Sequence, residues 1–164
     1  MRKPIFYFKG LETFDKWAVG LYIVLTCALL YLFGTTNAKN QIIFGYAFLT
    51  QLGLYIFCYR SLRNLTVYFI WIGIGFLHLY LYFILKDDQT LQMFRGHSST
   101  PLRNTVSLLL LFQLLRFLSV KIQGQELVAP GKGSTTDLFD ERKVNWLDLV
   151  FFFIYAGCTI GFDM

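Results

Sequence analysis

Apolar residues in this chain come in long runs separated by short polar stretches, not in the alternating or three-and-four spacing of a soluble core. The first run, Trp17 to Ala38, carries no charge between Lys16 and Lys39; its apolar part, WAVGLYIVLTCALLYLF, precedes Gly34-Thr35-Thr36-Asn37. Asn40 to Tyr59 and Asn64 to Leu85 are likewise uncharged, lying between Lys39 and Arg60 and between Arg63 and Lys86. A charge near a bilayer centre costs roughly 3 kcal/mol or more, so charges mark span boundaries. About 20 residues at ~1.5 Å rise cover the ~30 Å hydrocarbon core, which makes all three runs long enough to cross.

Two further runs are shorter. TVSLLLLFQLLRFLSV, Thr105 to Val120, contains Arg116, and LDLVFFFIYAGCTIGF, Leu147 to Phe162, starts beside Asp148 and ends against Asp163. Local thinning or snorkelling accommodates short spans, and Asn145-Trp146 supplies an interfacial anchor for the last. The expected fold is therefore an all-α integral membrane protein, a polytopic bundle of about five transmembrane helices at residues 17–34, 41–59, 65–85, 105–120 and 147–162. The competing arrangement has four spans with the fourth segment in the interface, but LLLLF leaves no polar face for headgroups.

Charge sets the direction. With the N-terminus inside, the inner side holds ten basic residues: Arg2, Lys3, Lys9, Lys16, Arg60, Arg63, Lys121, Lys132, Arg142 and Lys143. The outer side holds four, Lys39, Lys86, Arg95 and Arg103, which predicts N-in and C-out. The aromatic-rich residues before the first run, with no small-x-small cleavage site after it, favour a retained helix over a signal peptide.

Composition agrees with the pattern. Of 164 residues, 55% are hydrophobic and only 15% charged, against about 25% charged in soluble domains. Eighteen Phe and ten Tyr exclude a disordered chain. The net charge of +5 gathers between apolar runs, an orienting pattern that gives no reason to expect a nucleic-acid partner. The composition suits a small protein of a bacterial cytoplasmic (inner) membrane. Cys27, Cys58 and Cys158 sit in or beside apolar runs and read as small buried hydrophobes.

Outside the spans there is little room. The inner loop, residues 121–146, is too short for a separate domain, so 17–164 is expected to be one transmembrane unit. Residues 1–16 place Leu11, Phe14 and Trp17 three apart, which predicts an amphipathic interfacial segment that docks on the inner surface or on a partner. Leu138 and Phe139 in DLFDERK offer a second docking point. Gly131-Lys132-Gly133-Ser134-Thr135 fails as a phosphate loop because Gly133 separates the lysine from the hydroxyls. Asn64-Leu65-Thr66 matches a glycosylation acceptor but falls on the predicted inner side. His97, Ser98 and Ser99 with Asp87 and Asp88 lack a nucleophile elbow, so a polar loop ahead of Pro101 is the simpler reading.

Inside the spans, polar residues are few. Gln113, Arg116 and Ser119 share a stripe, and Asp148 lies at a comparable depth on the next helix, which predicts an Arg116–Asp148 ion pair with a packing role. His78 and Gln51 are expected to hydrogen-bond each other, and no haem or metal role is expected of them. Gly157 and Gly161 form a Gly-x-x-x-Gly docking face, with Gly73 and Gly75 as its receiving groove. No catalytic set, metal site or cofactor is predicted. The favoured function is a non-enzymatic subunit or accessory protein that assembles with other membrane proteins on a lipid bilayer, homo-oligomers being a further option. Alternatives are a small oligomeric transporter or channel with a polar path near Arg116 and Asp148, or a lipid-modifying enzyme.

Overall fold

The computed structural model of the protein describes residues 7–35, 38–94, 96–131, 136–139 and 142–163, and it is mostly helical. Five helices form the described fold: α1 (Thr13–Thr35), α2 (Lys39–Phe57), α3 (Leu65–Leu85), α4 (Thr100–Gln123) and α5 (Trp146–Asp163). Three of them, α1, α3 and α4, are long and apolar enough to cross a membrane. Polar Lys39, Asn40, Gln41, Thr50 and Gln51 dilute α2, and the apolar stretch of α5, Trp146–Gly161, is shorter.

Two of the three helices that begin at the predicted inner end, α1 and α5, use one starting device. In α1 the Asp15 carboxylate accepts the backbone N–H of Glu12 at 2.9 Å; in α5 the Asp148 carboxylate accepts that of Asn145 at 2.8 Å. Each is half of a capping box, an acidic side chain in the first turn reaching back to satisfy an orphan amide. Asn64 caps α3, its Oδ1 accepting from Thr66 N–H at 3.1 Å. Pro101 stands in the first turn of α4, where a missing N–H is harmless, and Gly124 ends that helix in the left-handed region at φ 66°.

α4 is the hub. Leu102, Thr105, Leu108, Leu109, Phe112, Leu115, Arg116 and Ser119 recur every three or four residues and are buried against α2, α3 and α5. The fourth segment is thus a central helix, about two turns longer than the expected 105–120 span, not an element lying on the surface. Gly75 on α3 explains the close α3–α4 approach: a Cβ there would lie 3.1 Å from Val106 Cγ2. α1 is peripheral, with 17% of its apolar window buried against 39% for α4.

Two expectations for the inner end are corrected. Residues 7–10 are not helical; Tyr7 pairs with Asn64 in a parallel bridge, and Lys9 exchanges two hydrogen bonds with the Asn64 amide, N–H to Oδ1 at 3.0 Å and Nδ2 to O at 2.8 Å. The amide mimics a strand neighbour, so Leu11 precedes the helix and shares no helical face with Phe14 and Trp17. The inner loop, expected as 121–146, is shorter, since α4 runs to Gln123 and α5 starts at Trp146. Leu127, Val128 and Ala129 are buried under the bundle, and short bridges join Pro130 to Asp137 and Thr136 to Lys143.

Candidate functional site

Two buried polar clusters and one cavity hold most of the chain's chemistry. The charged cluster lies at the predicted inner end. Arg116, 1% exposed, donates from Nε and Nη2 to the two carboxylate oxygens of Glu126 at 2.8 and 2.9 Å. Its Nη1 reaches the Arg63 carbonyl at 3.1 Å and Gln113 Oε1 at 3.4 Å. Arg63 donates to the Leu127 carbonyl at 2.9 Å and stands 3.9 Å from Glu126. Asp148, fully buried, takes two bonds from Arg142 at 2.6 and 2.7 Å, and Gln123 Nε2 lies 3.3 Å away.

The Arg116–Asp148 pairing is therefore replaced by two pairs, Arg116–Glu126 and Arg142–Asp148. Both new partners come from the segment after α4. Gly124 turns the chain back beneath the bundle, delivering Glu126 to Arg116, and the Asp137 carboxylate fixes Arg142 by accepting its backbone N–H at 2.9 Å. Ser119, on the predicted stripe, holds the same turn by donating to the Gln125 carbonyl at 2.9 Å, while Gln113 donates to Leu62 O at 2.9 Å.

The neutral cluster lies inside the bundle. His78 Nδ1 faces Thr105 Oγ1 at 2.9 Å, and Nε2 faces the hydroxyls of Tyr46, at 3.0 Å, and Tyr22. Thr26 and Thr50 extend it through Tyr46 and Tyr22. Gln51 Nε2 donates to the Pro101 carbonyl at 2.5 Å and to Thr105 Oγ1 at 3.3 Å. His78 and Gln51 thus meet through Thr105, not directly. Tyr22, Tyr46 and Thr105 were not singled out from sequence, since an isolated Tyr or Thr in an apolar run carries no spacing signal.

The remaining predicted positions separate. Gly75 receives Val106 of α4, whereas Gly73, Gly157 and Gly161 have open space where a Cβ would sit, so the last two are not seated on α3. Phe14, Trp17, Leu138 and Phe139 are exposed, Leu11 packs partly on the core, and the Phe139 ring lies 5.5 Å from that of Tyr59. Lys132 to Thr135 fall outside the described residues.

At the outer end His97 Nε2 lies 3.0 Å from the Asp88 carbonyl and so donates, leaving Nδ1 to accept from Ser99 Oγ at 2.7 Å. Ser99 is fully buried in this turn. The Asp88 carboxyl is held below its ordinary range by Thr90, whose hydroxyl and backbone N–H both donate to it. Among the described residues no three of His, Cys, Asp and Glu gather as a metal site.

A cavity of about 520 Å³ opens at the inner end between the starts of α1 and the α2–α3 turn. Lys9, Glu12, Asp15, Arg60, Arg63, Ser61 and Asn64 provide its polar wall, and Tyr7, Phe14, Phe57 and Phe139 its aromatic one. No family model, curated protein or solved structure matches this chain.

Proposed function

We propose that this chain is an integral membrane protein, with all five helices crossing a bacterial cytoplasmic membrane, N-terminus in and C-terminus out. In this reading it serves as a non-enzymatic subunit or accessory protein of a larger membrane assembly. One observation carries the reading. On α5 the exposed Gly157 and Gly161 stand one turn apart with nothing within 4 Å of their Cβ positions, and Phe153 and Ile160 on the same helix are exposed as well. Small residues four apart let a second helix backbone approach closely, whereas lipid tails need no such groove. The pairing of Arg116, Arg142 and Asp148 within the chain supports it further, since these charges are engaged in holding the fold.

Purification of the natively expressed chain in mild detergent is expected to recover a defined membrane-protein partner. Gly157→Leu with Gly161→Leu should lose that partner at unchanged abundance. Recovery of a monodisperse homo-oligomer alone would contradict the reading.

A second reading, a small transporter or channel, draws on the neutral cluster, because Gln51 Oε1 and the Tyr55 hydroxyl one turn away are buried without hydrogen-bond partners. It predicts that His78→Leu abolishes solute flux in proteoliposomes at normal protein abundance.

A further inference from the structure

We infer that His78 carries its proton on Nε2 and latches α1 to the bundle, through a hydrogen-bond chain of one sense that runs from Thr105 of α4 through the imidazole to Tyr22, Tyr46 and Thr26. The assignment follows from matching hydrogens to acceptors. Gln51 fixes one end. The Pro101 carbonyl, 2.5 Å from the Gln51 amide nitrogen, requires an N–H there, so that nitrogen and not the amide oxygen also faces Thr105 Oγ1 at 3.3 Å. Among the described residues Thr105 Oγ1 otherwise meets His78 Nδ1 alone, at 2.9 Å. Were Nδ1 protonated, the Thr105 oxygen would receive two donors while its own hydrogen found no acceptor. An imidazolium meets the same obstacle, and none of its partners, Tyr22, Tyr46 and Thr105, is acidic. With His78 Nε2 protonated, every hydrogen is placed. Thr105 donates to Nδ1, and Nε2 donates to the tyrosine oxygens. Tyr22 then donates to Tyr46 at 2.5 Å, Tyr46 to Thr26 Oγ1 at 2.8 Å, and Thr26 to the Tyr22 carbonyl at 2.9 Å.

The chain ends on the helix that depends on it most. Only 17% of the apolar window of α1 is buried, and among its described residues the buried ones are Asp15, Tyr22, Thr26 and Leu29, which follow one stripe. Asp15 is used at the helix start, so the middle of the contact face is the polar pair Tyr22 and Thr26. Between helices in hydrocarbon, apolar burial gives no net drive; close packing and interhelical hydrogen bonds decide docking. Tyr22 reaches α2 through Tyr46 and α3 through His78, and its ring stands edge-on to Trp71 of α3 at 5.1 Å. His78 is the group that ties this pair to α4, because one nitrogen accepts from Thr105 while the other donates toward α1.

The latch rests on the membrane reading, and the test separates the two. The full chain, labelled with carbon and nitrogen isotopes, is incorporated into nanodiscs; failure to incorporate overturns both. After incorporation, solid-state NMR reads the two ring nitrogens of His78, assigned through correlations to Leu77 and Leu79. A bare Nδ1 and a proton-bearing Nε2 are expected; a proton on Nδ1, or on both nitrogens, would overturn the proposal and leave the membrane reading intact. Docking is measured between spin labels on the native, exposed Cys27 of α1 and on Leu114→Cys of α4, with Cys58 and Cys158 replaced by alanine. One narrow distance is expected. Tyr22→Phe keeps a ring against Trp71 and deletes the hydroxyl, and it should broaden that distance. Tyr68→Phe, whose lost hydroxyl bonds the Leu109 carbonyl of α4 instead, should leave it unchanged. An unaltered distance in Tyr22→Phe, or equal broadening in both variants, would overturn the latch.

Discussion

The two polar clusters satisfy buried groups in different ways. The charged one sits where helices end, with Arg63 before α3, Arg116 in the closing turns of α4 and Asp148 in the first turn of α5. There, loose backbone can be brought in, and the segment after Gly124 supplies a carboxylate and two carbonyls, those of Glu126 and Leu127. The neutral one sits among the helices themselves, where hydroxyls, an imidazole and an amide bond one another and the carbonyls of Tyr22, Tyr46 and Pro101. Full charges are buried where a chain reversal can meet them; only uncharged groups are carried through the middle.

That contrast predicts unequal costs. Glu126→Leu takes the paired carboxylate away from the buried Arg116 guanidinium. About 3–5 kcal/mol of stability should be lost in detergent unfolding. Adding Arg116→Leu should recover most of it, because an apolar pair of similar volume avoids the stranded charge. Arg142→Leu comes next, at roughly 2–3 kcal/mol, since Asp148 keeps the Asn145 amide and Gln123. His78→Leu should cost about 1–2 kcal/mol: Tyr22 and Tyr46 still bond each other at 2.5 Å, and Thr105 still meets Gln51. Lys9→Gln, at an exposed pair, should leave the unfolding midpoint unchanged. A His78→Leu loss exceeding that of Glu126→Leu would reverse the contrast.

Helix existence was legible because charge-free runs are an unambiguous signal; α3 runs from Leu65 to Leu85 as the uncharged run predicts. The extra turns of α4 were not, since Thr100 to Asn104 and Lys121 to Gln123 mix charged and polar residues with apolar ones, and they continue the helix with Pro101 and Leu102 buried at one end and Gly124 closing the other. The site was half legible. Burial of Arg116 and Asp148 followed from their place in apolar runs, but their partners did not. Glu126 and Arg142 lie in a polar stretch that looks solvated until Gly124 folds it beneath the bundle, an event decided by tertiary packing of Leu127, Val128 and Ala129. Likewise Asn64 reads from sequence only as part of a glycosylation match, whereas its pairing with Lys9 depends on a contact 55 residues away.

The account stands most directly on which side of a membrane the charged end faces. In a background with Cys27, Cys58 and Cys158 replaced, Gln89→Cys in the α3–α4 loop and Lys143→Cys before α5 place single thiols at opposite ends. An impermeant maleimide applied to intact cells is expected to label Gln89→Cys at once and Lys143→Cys only after permeabilisation. Labelling of Lys143→Cys in intact cells, or a chain that remains in the aqueous fraction when membranes are sedimented, would contradict it.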